Sequence, residues 1–203
     1  METMIFASRN EGKIKEIKAM FEDMGVMLLS LSNFPDLPEI EEDGETFFEN
    51  AYKKAKTISN ATGKMVLADD SGLEVNYLGG LPGVRSSRYS GDDATDEGNI
   101  KMLLDQLKNV PSEQRDASFR CVLVMYKPDG WFKTFEGYLH GKISEEPAGE
   151  GGFGYDPVFY ITEKGLTVAQ LPLTTKNRVS HRAMAVKKLK KWLQKRNIPE
   201  IKS

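Results

Sequence analysis

The sequence predicts an α/β protein, a mixed β-sheet flanked by helices, with residues 1–203 forming a single unit. Three observations carry that prediction. Apolar runs and amphipathic helical stretches alternate through the N-terminal part of the chain. Two β-rich segments, 117–126 and 131–139, flank the turn Pro128-Asp129-Gly130 and read as a hairpin. No Pro/Gly/Ser-rich linker separates these parts, and the length suits one large domain or two intimate lobes.

Met4-Ile5-Phe6-Ala7 reads as the first strand. Ser8 to Lys13 follows as a polar turn. Ile14, Ile17, Met20, Phe21 and Met24 form one helical face, and Gly25 stands where a helix needs a left-handed stop. Val26 to Leu31 reads as a second strand. Phe34 to Gly44 holds two prolines and a run of acids, which makes it a loop. Thr46 and Glu49 form a capping box for a helix that buries Phe48, Ala51, Tyr52, Ala55 and Ile58 and stops at Gly63. Val66-Leu67-Ala68 is then a short buried strand, ending at Asp69-Asp70 and turning at Gly72. Gly79 to Gly83 is turn-rich. Asp96 caps a helix carrying Ile100, Leu103, Leu104 and Leu107. After the hairpin, 149–154 is a Gly-rich loop and Val158 to Ile161 a short strand. The last helix starts near Ser180 and carries Ala183, Val186, Leu189 and Leu193.

A net charge of −2 removes the polycationic surface that duplex nucleic acid attracts. The lysines at 187–191 read as the solvated face of the last helix. Cys121 is the single cysteine, so an intrachain disulfide is excluded, and its apolar strand context makes it a buried thiol. No stretch approaches the ~18 apolar residues of a membrane span, and no signal-peptide core precedes the first strand. These features predict a soluble, cytoplasmic protein. His140 and His181 lack a second His or Cys at ligand spacing, which argues against structural zinc.

Asp69 and Asp70 are the strongest chemical signal. Adjacent carboxylates against apolar residues are unfavourable unless a cation offsets them. Strand ends in α/β proteins are also where ligands sit. The pair points to a hard metal ion and, through it, to phosphate chemistry. Glu39-Ile40-Glu41-Glu42-Asp43 supplies further carboxylates, and two from different segments suit Mg²⁺. Neighbours on a strand alternate faces, so the two need not share a role, and the plainer reading of Asp69 is structural.

The strand–turn–helix at Ser8 to Lys13 has the shape of a phosphate site, with outward N–H groups and the Lys13 charge, although it is not a Walker loop. In Gly149 to Pro157 the glycines permit close backbone approach to a ligand. Phe153 offers a stacking face there, and Asp156 an acceptor for a base N–H. Lys176, Arg178, His181 and Arg182 gather cations around one helix start, which is disfavoured unless an anion or acceptor-rich ligand sits there.

In order along the chain, the motifs are Ser8-x-Asn10-x-x-Lys13, Gly44-x-Thr46-Phe47-x-Glu49-Asn50-Ala51 with Lys54-Ala55, and Ala68-Asp69-Asp70-Ser71-Gly72-Leu73. Leu78-Gly79-Gly80-x-Pro82-Gly83, Gly152-Phe153-Gly154-Tyr155-Asp156-Pro157 and Lys176-Asn177-x-x-Ser180-His181-Arg182 follow. Together they resemble the inosine triphosphate pyrophosphatase family over nearly the whole chain. The resemblance implies an elongated mixed sheet, two lobes with a central cleft, and a homodimer. It also implies Mg²⁺-dependent hydrolysis of non-canonical purine nucleoside triphosphates (ITP, dITP, XTP) to monophosphate and pyrophosphate. By resemblance, Ser8, Arg9, Asn10, Glu11, Gly12 and Lys13 hold the triphosphate, Lys13 also steadying the leaving pyrophosphate. Glu41 and Asp70 bind the metal, with Glu42 the alternative to Glu41, and Asp70 is also the candidate base. Ser71 contacts substrate. Phe153, Gly154, Tyr155, Asp156, Lys176, His181 and Arg182 form the pocket for base and phosphates. An Arg182 or His181 donor at O6 and an Asp156 acceptor at N1–H would leave adenine mispaired. The rival readings are a pyrophosphatase for modified pyrimidine nucleotides and a non-catalytic nucleotide-binding regulator.

Overall fold

The computed structural model describes residues 3–22, 24–37 and 39–196. Position 38 of the expected acidic loop and the tail past residue 196 lie outside these. β1 (Thr3–Phe6) pairs in parallel with β2 (Met27–Ser30) and with β3 (Met65–Val75). β3 continues antiparallel to β4 (Asp116–Tyr126), and β4 to β5 (Phe132–Ile143). The short β6 (Phe159–Ile161) and β7 (Leu166–Thr167) extend the sheet. The order β2-β1-β3-β4-β5-β6-β7 makes one mixed, open sheet, as the α/β reading expects.

Alternation along the strands divides the core. Met4, Phe6, Leu67, Cys121, Leu123 and Met125 face α1 (Glu11–Phe21) and α5 (His181–Arg196). Their neighbours Ile5, Val66, Ala68, Val122 and Val124 face α2 (Phe47–Thr62) on the other side. Further along β3 and β4, Leu73, Val75, Ala117 and Phe119 pack with α3 (Asp96–Gln106) and β6 into a third cluster. No helix among the described residues is long and apolar enough to cross a membrane.

Several local expectations need correction. Asp69 and Asp70 do not end a strand, because β3 runs through them and through Gly72 to Val75. Gly72 is a close-approach glycine: a Cβ there would meet the Gly83 carbonyl and the Ser86 hydroxyl. Phe47, not Phe48, is the buried aromatic at the start of α2, since Phe48 is 39% exposed. Thr95, not Asp96, caps α3, its side chain accepting from Gly98 N. The Thr46–Glu49 capping box and the left-handed Gly63 at the end of α2 are as expected. The helix α4 (Leu173–Val179) had no apolar period to announce it.

Candidate active site

β1 ends at Phe6, paired with Leu67, and the partner strand β3 continues beyond it. Asp69 and Asp70 therefore lie just past the carboxyl end of β1, where open α/β sheets place ligands. The N-terminus of α1 opens at the same point. Asn10 Oδ1 caps it by accepting from Lys13 N at 3.0 Å, and Ser8 Oγ accepts from Asn10 N at 3.2 Å. A cleft of ≈ 340 Å³ forms here, within the range of about 300–1,000 Å³ usual for small-molecule sites.

Of the residues expected in the site, Ser8, Arg9, Asn10, Lys13, Asp70, Ser71, Phe153, Gly154, Tyr155, Asp156, Lys176, His181 and Arg182 line this cleft. Glu11, Gly12 and Glu41 are not on its wall. Glu11 is exposed in the first turn of α1. Gly12 makes room for Phe153, because a Cβ there would come within 2.6 Å of that ring. Glu41 is exposed, whereas Glu42 lines the cleft and pairs with Lys54.

The strand pleat sends the two aspartates to opposite faces. Asp69 is fully buried and faces α1 and α5. Its Oδ2 lies 3.1 Å from Lys13 Nζ and accepts from Arg182 Nη2 at 3.2 Å and Ser71 Oγ at 2.7 Å. Burial pushes its carboxyl up, but Lys13, Arg182 and Lys54 outweigh that and hold it far below the usual carboxylate range. Asp70 faces α2. Its Oδ2 accepts from Asn50 Nδ2 and its Oδ1 from Ser71 N, each at 2.9 Å. Burial raises the Asp70 carboxyl above its ordinary value; Lys13 and Lys54 oppose the shift and the Glu42 charge adds to it.

Behind the cleft lies a buried charge network that alternates in sign. Arg182, 1% exposed, pairs with Glu16 as well as Asp69. Lys176 Nζ sits 2.7 Å from Glu16 and also pairs with Asp156. Asp156 Oδ2 additionally accepts from Phe153 N at 2.9 Å, so that oxygen closes the Gly-rich turn and is not left for a base N–H. Tyr155 likewise serves packing, its hydroxyl donating to Ser86 O at 2.9 Å. Phe153 carries Lys176 Nζ 4.5 Å from its ring centroid, a cation–π contact that steadies the ring.

His181 stacks on Phe119 at 4.8 Å between centroids, and burial with Arg182 and Lys176 nearby holds its ring well below the usual imidazole value. It is neutral in the folded protein at pH 7. A lowered folded pKa means the unfolded chain takes up the proton first, near pH ~6.5. Stability from this group is therefore complete above ~6.5 and declines as pH falls toward the folded value, by roughly 1 kcal/mol per pH unit. Urea unfolding between pH 7 and 5 is expected to show that slope, and His181→Gln to remove it. Equal slopes in both proteins would refute the assignment.

Lys54 lines the cleft, Glu16 and Asn50 bond residues that do, and none of the three was given a role from sequence. A signal was present. Phe47, Asn50, Ala51, Lys54, Ala55 and Ile58 are all buried on α2, so polar residues share the helical period of the core face. Glu16 sits the same way between Ile14 and Ile17 on α1.

A helix start built for anions, carboxylates on the wall and buried lysines around one cleft define an enzyme that acts on a phosphorylated ligand. The chain belongs to the Ham1 family, which it matches over residues 4–192. It is 53% identical over 193 residues to a protein of Geobacter sulfurreducens named dITP/XTP pyrophosphatase, covering 95% of this chain and 97% of the relative. A Bacillus licheniformis protein of the same name is 53% identical over 189 residues, covering 93% and 96%. The solved structure of the Staphylococcus aureus Ham1 protein matches with a TM-score of 0.87 at 41% identity, over 97% of this chain and 100% of that one.

Proposed function

We propose that this protein hydrolyses non-canonical purine nucleoside triphosphates, dITP, ITP and XTP, at the α–β anhydride, releasing monophosphate and pyrophosphate. It is a nucleoside triphosphate pyrophosphatase, in line with the names of relatives that match nearly its full length. The observation that carries the reading is Asp70, a buried carboxylate whose pKa is raised, on the wall of a cleft that also holds Glu42 and the N-terminus of α1.

The donor set fits Mg²⁺. Glu42 is close enough to act on the Asp70 charge, and both offer hard oxygen ligands. When bound by Asp70 and Glu42, Mg²⁺ supplies charge neutralisation on the phosphates and a more acidic water. Asp70, poised by burial, accepts the proton of the attacking water. Lys13 and the first amides of α1 hold the departing pyrophosphate. Asp69 helps keep Lys13 charged and aimed: burial lowers the lysine's pKa, and the charges of Asp69, Asp70 and Glu42 together outweigh that. Phe153 offers a stacking face to the base, and a His181 donor at O6 favours hypoxanthine and xanthine over adenine. A cytoplasmic homodimer completes the reading.

Incubation with Mg²⁺ and dITP, XTP, dATP, dGTP or a modified pyrimidine triphosphate tests it. Deoxyinosine and xanthosine monophosphates should appear with stoichiometric pyrophosphate, at least ~10²-fold faster than the adenine product. Stepwise release of orthophosphate would overturn the α-phosphorus mechanism. Preference for a modified pyrimidine triphosphate would favour the rival reading.

A further inference from the structure

α2 reaches the site through two residues one turn apart: Lys54, which lines the cleft, and Asn50, which lies buried behind Asp70. Asn50 is fully buried. Its Nδ2 donates to Asp70 Oδ2 at 2.9 Å, and its Oδ1 accepts from Gly44 N at 2.7 Å. Lys54 Nζ donates to the Asp69 carbonyl at 2.6 Å and pairs with Glu42. The two amide atoms of Asn50 and the single ammonium of Lys54 therefore each bond both the Asp69-Asp70 segment of β3 and the acidic loop that carries Glu42. The contact at Gly44 is tight, since a Cβ there would stand 2.7 Å from Asn50 Oδ1. Residues 39–46 of that segment form neither helix nor strand before α2 begins at Phe47. A loop with no ladder of its own needs side-chain anchors to hold a carboxylate in one place.

We propose that Asn50 is a positioning residue that sets the separation of the Asp70 and Glu42 carboxylates, by tying β3 to the acidic loop through the Gly44 amide. The inference rests on the metal role proposed above for those two carboxylates. Asn50 is the part of this device that hydrogen-bonds Asp70. Its amide offers one donor and one acceptor in fixed opposition, and the clamp needs both. Asn50→Asp keeps the acceptor for Gly44 and loses the donor to Asp70. Gly44→Ala leaves Asn50 intact and wedges the loop away from it.

Two measurements test this. Crystal structures of Asn50→Asp and Gly44→Ala should show the Asp70 and Glu42 carboxylates displaced relative to each other by about 1 Å, a shift large enough to matter for a catalytic constellation. Unchanged positions in both would overturn the inference whether or not a metal binds. Titration with Mn²⁺, followed by electron paramagnetic resonance in the presence of an α,β-imido dITP analogue, should give dissociation constants about 10- to 100-fold weaker in both variants. Their kcat at saturating metal should fall, with KM for nucleotide nearly unchanged. A lowered thermal midpoint with wild-type Mn²⁺ affinity would show that Asn50 only supports the fold, and would also overturn the proposal. Wild-type protein that holds no Mn²⁺ would instead refute the metal reading of Asp70 and Glu42, leaving the crystal structures to decide the clamp.

Discussion

Asp70→Asn is expected to lower kcat about 10³-fold while the thermal midpoint moves by only a few degrees. The loss follows from removing the group assigned both to the metal and to the water proton. The small stability change follows from two effects of opposite sign. Burial raises the folded pKa of Asp70, so this group supports folding only below its unfolded pKa, near ~4, and that support is lost as pH rises through the folded value. At pH 7 the ionised carboxylate therefore destabilises the fold, and a neutral amide relieves that. Against it, both oxygens of Asp70 accept hydrogen bonds, from Asn50 and from Ser71 N, and an asparagine satisfies one of the two. Steady-state kinetics and a thermal melt on the same preparation check the result. Turnover near that of wild type would remove Asp70 from the mechanism.

Asp69→Asn should do the reverse, harming the fold first. Asp69 is fully buried and faces Lys13 and Arg182, each of which keeps its charge when the carboxylate goes. Removing one partner of a buried pair destabilises by about 3–5 kcal/mol, because the remaining charge stays buried and uncompensated. In a chain of this length that lowers the midpoint by roughly 6–20 °C. The acid limb should change too. The folded pKa of Asp69 lies far below its unfolded value, so its contribution is complete above pH ~4 and is lost as pH falls further. Wild type should lose stability steeply in that window and Asp69→Asn much less so. A variant with an unchanged midpoint and the same acid limb would show that Asp69 does not anchor the two cations.

The contrast between the two aspartates shows how far sequence reasoning reaches. Period-2 alternation was enough to place them on opposite faces, and the family resemblance named Asp70 as the one for the chemistry. It did not reveal that β3 continues past them, because Gly72 reads locally as a turn. Only the approach of Gly83 and Ser86 from a separate segment explains a glycine inside a strand. The same limit applies to Asp156. The sequence showed an acid beside a Gly-rich loop, and only the fold commits its Oδ2 to Phe153 N and Lys176 while the residue lines the cleft. For the acidic loop, residue type named two adjacent glutamates, and the fold brought Glu42 to the cleft beside Lys54 while Glu41 stayed exposed.

The sequence by itself determined what depends on neighbours along the chain. This covers the alternation of strands and helices, the capping box at Thr46 and Glu49, the stop at Gly63, the hairpin around Gly130, and the order of motifs that marks the family. Each rests on spacing, capping or turn chemistry set within a few residues. Tertiary structure alone decided which charges meet. Glu16, Lys176, Arg182, Asp69 and Lys13 lie on four elements, and their pairing depends on how α1, α4 and α5 close over β3. Burial and opposite charge then hold Asp69 and Asp70, adjacent in the chain, on opposite sides of the ordinary carboxylate pKa.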